Sequence, residues 1–494
     1  MPDSNYLFMD LIPEFIKQGQ LWVVLYIIVS IGVVITILME NRNPSKSLAY
    51  ILVLLFLPVV GLIVYYFFGR DLRKEKIFKK KVFKETHIAT EFARKYFTDS
   101  ERELARMEKE IGDLISPYKL LLSQKQSLVH RNNSVTLLTN GEEKFPALFD
   151  ALNQARHHIH LEYYIFTRDD IGNQLTEILI RKATEGVIVR VIIDDRGSNR
   201  IKDIPRRLKE AGIEVYQFMP VRFASLSQAN YRNHRKIVVI DGKTGFVGGL
   251  NIDDRYINNG KHQLFWRDTH LKIEGSAVKE LQFNFFKSLS FVTRKQYELE
   301  SAYFPETLDY EDGATISVVA SGPASPHPYN LEVLLSAINQ AKKSIRIANP
   351  YFIPPAELLT ALELAAACGI EVELIIPAHS DSYIVQHASF SYLKSLIKRG
   401  IKVYLYKKGF MHAKTVVIDG KLSFVGTVNM DIRSFYINFE IAAIVHQPAF
   451  AAQMEYQFSL DKADSSLISA REWVTRSRSK KFIDSVCRLL APLL

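Results

Sequence analysis

Two stretches of the chain carry the same polar residues at the same intervals. Asn233–Asn251 reads NHRKIVVIDGKTGFVGGLN, and Met411–Asn429 reads MHAKTVVIDGKLSFVGTVN. Each has a histidine, a lysine two positions on, an aspartate five further, a glycine step and an asparagine. Side chains alternate along a strand, so His234 shares a face with Lys236, and His412 with Lys414. The Asp-Gly pairs at Asp241 and Asp419 read as hairpin turns between apolar strands. Taken singly, each piece has a plain structural explanation. A His-x-Lys pair is usually a surface pair, aspartate suits turns, and Gly248, Gly249 and Gly426 suit close packing. Repetition shifts the weight, because the intervening residues have drifted and these have not.

Two imidazoles and two ammoniums suit phosphodiester chemistry. One histidine can attack phosphorus while the other protonates the departing alcohol. Lys236, Lys414, Asn251 and Asn429 can hold the non-bridging oxygens. A neutral imidazole and an imidazolium must coexist near neutral pH, and histidine, with an ordinary pKa of about 6.5, is suited to that. A carboxylate on the outer nitrogen of each ring would fix its tautomer. Asp268, in FWRDTH, and Glu440, in YINFE, each follow their own copy's histidine and are the candidates. Asp241 and Asp419 stand as catalytic candidates, with a purely structural turn role equally open. No metal or other cofactor is called for: there is no H-E-x-x-H and no paired Cys/His spacing. HHIH (His157–His160) lies at a helix-to-strand junction and is not read as a metal site.

These residues need elements to carry them, and the chain repeats those too. ALFDALNQARHHIHLEYYIF (Ala147–Phe166) matches VLLSAINQAKKSIRIANPYFI (Val333–Ile353), each a helix followed by a strand. EGVIVRVIID matches CGIEVELIIP, and AGIEVYQF matches RGIKVYLY. The expected fold is α/β: two tandem units of mixed or parallel sheet covered by helices. The expected boundaries are 129–296 and 329–494, with a linker at 297–328 containing SGPASPHP and a basic helical connector at 71–128. Cys368, in an alanine-rich run, reads as core. With only one other cysteine, Cys487, there is no disulfide framework.

Residues 1–70 read as a membrane anchor. Leu21–Met39 and Leu48–Phe68 run without a charge, each long enough to cross a bilayer as a helix. A short loop joins them, so they form a two-span hairpin. Arg70 to Lys84 is strongly basic, which places the large C-terminal part in the cytoplasm. The formal net charge of +10 suits a polyanion, either nucleic acid or anionic lipid. The hairpin favours lipid.

The paired motifs resemble the phospholipase D superfamily, whose signature is H-x-K-x-x-x-x-D followed by a glycine pair and an asparagine. NRNPSKSLAYILVLLFLPVVGLIVYYFFGR (Asn41–Arg70), YRNHRKIVVIDGKTGFVGGLNI (Tyr231–Ile252) and APLL (Ala491–Leu494) look like bacterial cardiolipin synthases, nearly end to end. Thr427 departs mildly, since many relatives have serine there. The resemblance implies a pseudo-dimer with one active site on the seam. It implies a phosphatidyl transfer from one phosphatidylglycerol to another, giving cardiolipin and glycerol through a phosphatidyl-histidine on His234. His412 would protonate the leaving glycerol and then activate the second lipid's hydroxyl. It also implies an integral protein of the bacterial inner membrane, with phosphatidylglycerol and anionic lipid as partners, no nucleic acid and no cofactor. Other readings are a phosphatidylserine synthase, a hydrolytic phospholipase D, a nuclease of the superfamily and a non-enzymatic membrane scaffold. The scaffold has no use for paired histidines.

Overall fold

A computed structural model describes residues 21–39, 44–57, 60–62, 65, 100–198, 203–220, 230–262 and 264–491. The chain divides into an N-terminal unit and a much larger body. In the N-terminal unit, α1 (Leu21–Met39) and α2 (Pro44–Phe56) pack on one another. Ile37, Leu54 and Tyr65 are buried between them, and the Tyr26 hydroxyl donates to the Leu54 carbonyl at 2.6 Å. The opposite faces leave Val23, Ile28, Ile31, Leu38, Leu55 and Phe56 exposed. Among the described residues no helix is long and apolar enough to cross a membrane. The basic run Arg70 to Lys84 lies outside the described residues.

The body is organised by symmetry about one strand pair. The first half supplies β1 (His130–Thr139), β2 (His158–Tyr163), β3 (Ile188–Asp194), β4 (Glu214–Phe218), β5 (Lys236–Ile240), β6 (Thr244–Gly248), β7 (Phe265–Arg267) and β8 (Thr269–Glu274). The second supplies β9 (Ala314–Ser321), β10 (Ser344–Ala348), β11 (Glu371–Pro377), β12 (Lys402–Tyr406), β13 (Gly409–Met411), β14 (Thr415–Ile418), β15 (Leu422–Gly426), β16 (Glu440–His446) and β17 (Ser465–Leu467). Fifteen of them form one sheet in the order β17-β12-β11-β10-β14-β15-β16-β9-β1-β8-β6-β5-β2-β3-β4. Read outward from the β9–β1 pair, the halves repeat strand for strand, with β17 extra. Crossover helices make β2–β3–β4 and β10–β11–β12 parallel, and hairpins make the central strands antiparallel.

Strands β5, β9, β14 and β16 are largely apolar and buried because both faces are covered, whereas β1 begins with the polar run His130 to Ser134. In the first half Leu161, Val191, Val238 and Phe246 pack with Leu148, Leu152, Leu175 and Leu179. In the second, Ile345, Leu374, Val416 and Ile444 pack with Leu334, Leu358 and Leu396. A third core joins the halves: Ile237, Val247 and Leu271 lie with Val318, Val425 and Ile441.

Three expectations change. The stretch expected as a linker, 297–328, contains β9, whose fully buried apolar side chains hold the centre of the sheet. Within the expected connector, Met107, Ile111, Tyr118 and Leu121 bury into the second half's core, so this segment is structural as well as connecting. Cys368 is exposed at a helix C-cap, not in the core, because the alanine-rich helix turns its other face inward.

Candidate active site

Both motif hairpins form as their sequence dictates. Asp241–Gly242 and Asp419–Gly420 all take left-handed backbone, with φ between 54° and 64°, as tight turns between paired strands require. The aspartates do not reach the site. Asp241 accepts from the backbone N–H groups of Arg156, His157 and His158 at 2.8–2.9 Å. Asp419 does the same for Lys342, Lys343 and Ser344 at 2.7–2.9 Å. Each ties its hairpin to the start of the neighbouring strand, which answers the open choice in favour of a structural role.

At the other end of the hairpins, a cleft of about 370 Å³ is lined by His234 and Asn251 from one half and His412 and Asn429 from the other. The Lys236 ammonium donates to the His234 carbonyl at 2.8 Å, and Lys414 donates to the His412 carbonyl. Asn251 accepts from the Ile165 N–H and donates to the Tyr256 hydroxyl, whereas the buried Asn429 amide oxygen has no hydrogen-bond partner among the described residues.

The carboxylates cross over. His234 Nδ1 lies 3.0 Å from Glu440, and His412 Nδ1 lies 2.5 Å from Asp268. Each acid therefore serves the other half's histidine, which corrects the pairing expected within each copy. The cause is backbone pairing across the seam. Strand β7 runs parallel to β13, so the His412 N–H donates to the Arg267 carbonyl at 2.7 Å, one residue before Asp268. Asn233 bridges Phe439 in the same way, and the His234 N–H donates to the Phe439 carbonyl at 2.9 Å. With Nδ1 engaged by a carboxylate, Nε2 of each ring is left for chemistry.

Burial shapes the charges. It lowers Lys236 to about 7 and Lys414 to about 8, while Glu440 and Asp268 pull the other way. Burial and then Lys414 hold His412 down at about 3; burial also lowers His234, against the opposing pull of Glu440. Burial pushes the Asp268 carboxyl up, but Lys414 and His412 together outweigh it, so the group stays ionised. Burial is the leading cause for both lysines and both histidines, so an anion entering the cleft would favour their charged forms.

Some contributors had no signal in motif spacing. Arg232, Arg255, Arg433, Tyr351 and Asp381 also line the cleft. Behind Asp268, Lys144 is wholly buried over the Phe145 ring at 4.0 Å, and burial holds it well below its ordinary pKa. Thr427, the mild departure, donates its hydroxyl to Glu440. Of the HHIH histidines, His158 and His160 are core: they share Gln282, and His160 stacks on Phe285 at 4.4 Å, whereas His157 is exposed. Among the described residues, no group of three or more His, Cys, Asp or Glu side chains is arranged to hold a metal ion.

One sheet carrying two His-Lys half-sites on a shared cleft defines the phospholipase D-like class. Residues 148–282 and 334–462 match the family described as cardiolipin synthase, PLD-like domain, and residues 24–70 match the phospholipase D-nuclease N-terminal family. Similar curated proteins include cardiolipin synthases of a Geobacillus species (39% identical, covering 97% of this chain and 95% of the relative) and Halalkalibacterium halodurans (39%, 94% and 92%). Cardiolipin synthase 2 of Bacillus anthracis is 39% identical, over 93% and 88%. Among solved structures, a phosphatidylserine synthase of Haemophilus influenzae has a similar fold, with a TM-score of 0.58 and 16% identity over 73% of this chain and 95% of that one. The chain belongs to the cardiolipin synthase family of phospholipase D-like proteins.

Proposed function

We propose that this protein is a cardiolipin synthase that joins two phosphatidylglycerols at the cleft between its halves. The observation that carries this is the crossed pair, His234–Glu440 and His412–Asp268, facing one cleft beside two buried lysines. His234 Nε2 attacks the phosphorus of the first lipid, and the bond from phosphorus to the glycerol oxygen breaks. His412 gives that oxygen its proton, and glycerol leaves. His412 then takes the proton of a glycerol hydroxyl on the second lipid. That oxygen attacks phosphorus, the phosphorus–nitrogen bond breaks, and cardiolipin leaves.

The unequal roles rest on family analogy, and the geometry is consistent with them. His412 has the closer carboxylate, and Asp268 stays ionised, so an imidazolium there is well supported. The field that holds His412 low comes in part from Lys414. An arriving phosphate offsets that field and lifts the imidazole toward the range of a working acid. The lysines and Asn429 hold the non-bridging oxygens.

The hairpin α1–α2 anchors the chain in the membrane where both substrates reside. Its support is the uncharged 19-residue α1 and the apolar side chains that both helices turn outward. Membrane anchoring also raises the substrates' effective concentration. The positive-inside rule sets the catalytic body in the cytoplasm.

The test is to give the purified enzyme phosphatidylglycerol as sole lipid and to identify products by mass spectrometry. Cardiolipin and glycerol in equal amounts are expected. Phosphatidic acid and glycerol would mean a hydrolase, and the transferase reading would fall. Exhaustive chelation should leave the rate unchanged; a loss restored by one divalent ion would sink the metal-free mechanism.

A further inference from the structure

The helix Arg478–Arg488 has one buried face and one exposed apolar face. One packs inward: Asp484 and Cys487 are buried against the helix Tyr383–Lys398. There Asp484 bonds His387 Nδ1 at 2.7 Å and pairs with Arg476 at 2.9 Å. The other faces out. Phe482 is 70% exposed and Val486 44%, and the closing turn continues the stripe with Leu489 at 79% and Leu490 at 39%. These fall at i, i+4, i+7 and i+8, a single stripe along the helix.

Arg478 and Lys481 flank this stripe; Lys480 lies on the opposite side and Arg488 packs over the Tyr392 ring at 4.5 Å, while the helix's one acid, Asp484, is turned inward and paired. An exposed apolar stripe bordered by cations matches an anionic bilayer surface: the ring and aliphatic groups enter the headgroup boundary and the cations meet phosphates. Exposed apolar side chains also lie beside the cleft. Ser382 and Val385 line the cleft, and between them Tyr383 and Ile384 are 63% and 41% exposed. The Tyr383 ring lies 4.3 Å from that of His387, the residue bonded to Asp484.

We propose that the C-terminal helix, with the exposed first turn of Tyr383–Lys398, is an interfacial membrane-contact surface that lays the catalytic body against an anionic leaflet. The contact sets the cleft's orientation toward the bilayer. It rests on the reading of a lipid-handling enzyme only for that orientation, and the contact itself is measurable without turnover.

The full-length protein is reconstituted in vesicles with an environment-sensitive NBD fluorophore at Phe482→Cys, in a Cys368→Ser background; Cys487 is buried. Vesicles contain roughly one-third phosphatidylserine, an anionic lipid other than the proposed substrate. Emission should shift to the blue and brighten roughly twofold or more, and doxyl-labelled lipid should quench it. The same label at Lys480→Cys, about 160° round the helix, should respond far less. Purely zwitterionic vesicles should give a clearly weaker response. Emission indifferent to vesicles overturns the proposal. So does a blue shift that doxyl lipid cannot quench, because the stripe is then covered by protein, either a second copy or another part of this chain. An equal response in zwitterionic vesicles overturns the anionic commitment. In parallel, Phe482→Glu with Val486→Glu should cut turnover on bilayers by roughly tenfold and leave it near wild type in detergent micelles. An equal loss in both would show that the stripe serves folding or catalysis instead.

Discussion

Thr427 and Gly249 hold equivalent positions in the two copies and solve opposite problems. A Cβ on Gly249 would lie 2.1 Å from the Asp268 carboxylate, so only glycine lets that acid approach. In the other copy the Thr427 hydroxyl fills the corresponding space and holds Glu440. Thr427→Ser should therefore keep nearly full activity, whereas Thr427→Val should lose about tenfold or more, as removing an orienting hydrogen bond does. Steady-state rates distinguish them; equal rates would mean that the hydroxyl is idle. The lysines give a pH test with a definite sign. Burial lowers Lys236 to about 7 and Lys414 to about 8, so the free enzyme loses cationic charge as pH rises through that window. Substrate affinity should hold below it and weaken above it, by roughly tenfold per pH unit for each proton that binding must restore. A KM that stays flat to pH 10 would contradict those values. Asp241→Ala removes the acceptor for three backbone N–H groups. It should cost about 1–3 kcal/mol in thermal unfolding, with the folded fraction still turning over lipid.

At the scale of elements, the sequence made the hairpins legible and the seam illegible. Alternation put His234 beside Lys236, and Asp-Gly located both turns, because these are effects within a few residues. The exchange of acids is not local. It follows from β7 pairing with β13 and from Asn233 meeting Phe439, contacts between segments far apart in the chain whose periodicity says nothing about partners. Strand β9 was hidden for a related reason. Its flanks, an acidic stretch and SGPASPHP, have loop composition, and ISVVAS between them is a short apolar run that only its neighbours β16 and β1 identify as a strand. The connector's share in the second core was likewise a matter of long-range packing. The seam carries its own prediction. A Cβ on Gly409 would lie 2.0 Å from the Phe265 carbonyl, against backbone that cannot step aside. Gly409→Val should part β7 from β13, misplace His412 relative to Asp268 and reduce turnover about a hundredfold or more. Circular dichroism should show the sheet intact. Full activity would mean that the β7–β13 pair does not position the dyad.

The whole molecule is two copies of one half-site fused on a continuous sheet, with a hairpin ahead of them. No motif residue lies in α1 or α2, so deleting residues 21–68 should leave chemistry in detergent micelles intact. Activity on bilayers should fall and become more sensitive to salt, since attraction through exposed basic residues is screened. A truncated protein that folds but is inactive in micelles would show that the hairpin helps to build the site. The central claim, one site with unequal histidines drawn from both halves, is tested most directly by locating the covalent intermediate. The enzyme is incubated with phosphatidylglycerol, denatured without acid, digested and sequenced by tandem mass spectrometry. The account predicts a phosphatidyl group on His234 in the wild type, a detectable remnant there in His412→Ala given an activated leaving group, and none in His234→Ala. A phosphatidyl group on His412, or cardiolipin formed by His234→Ala, would contradict it.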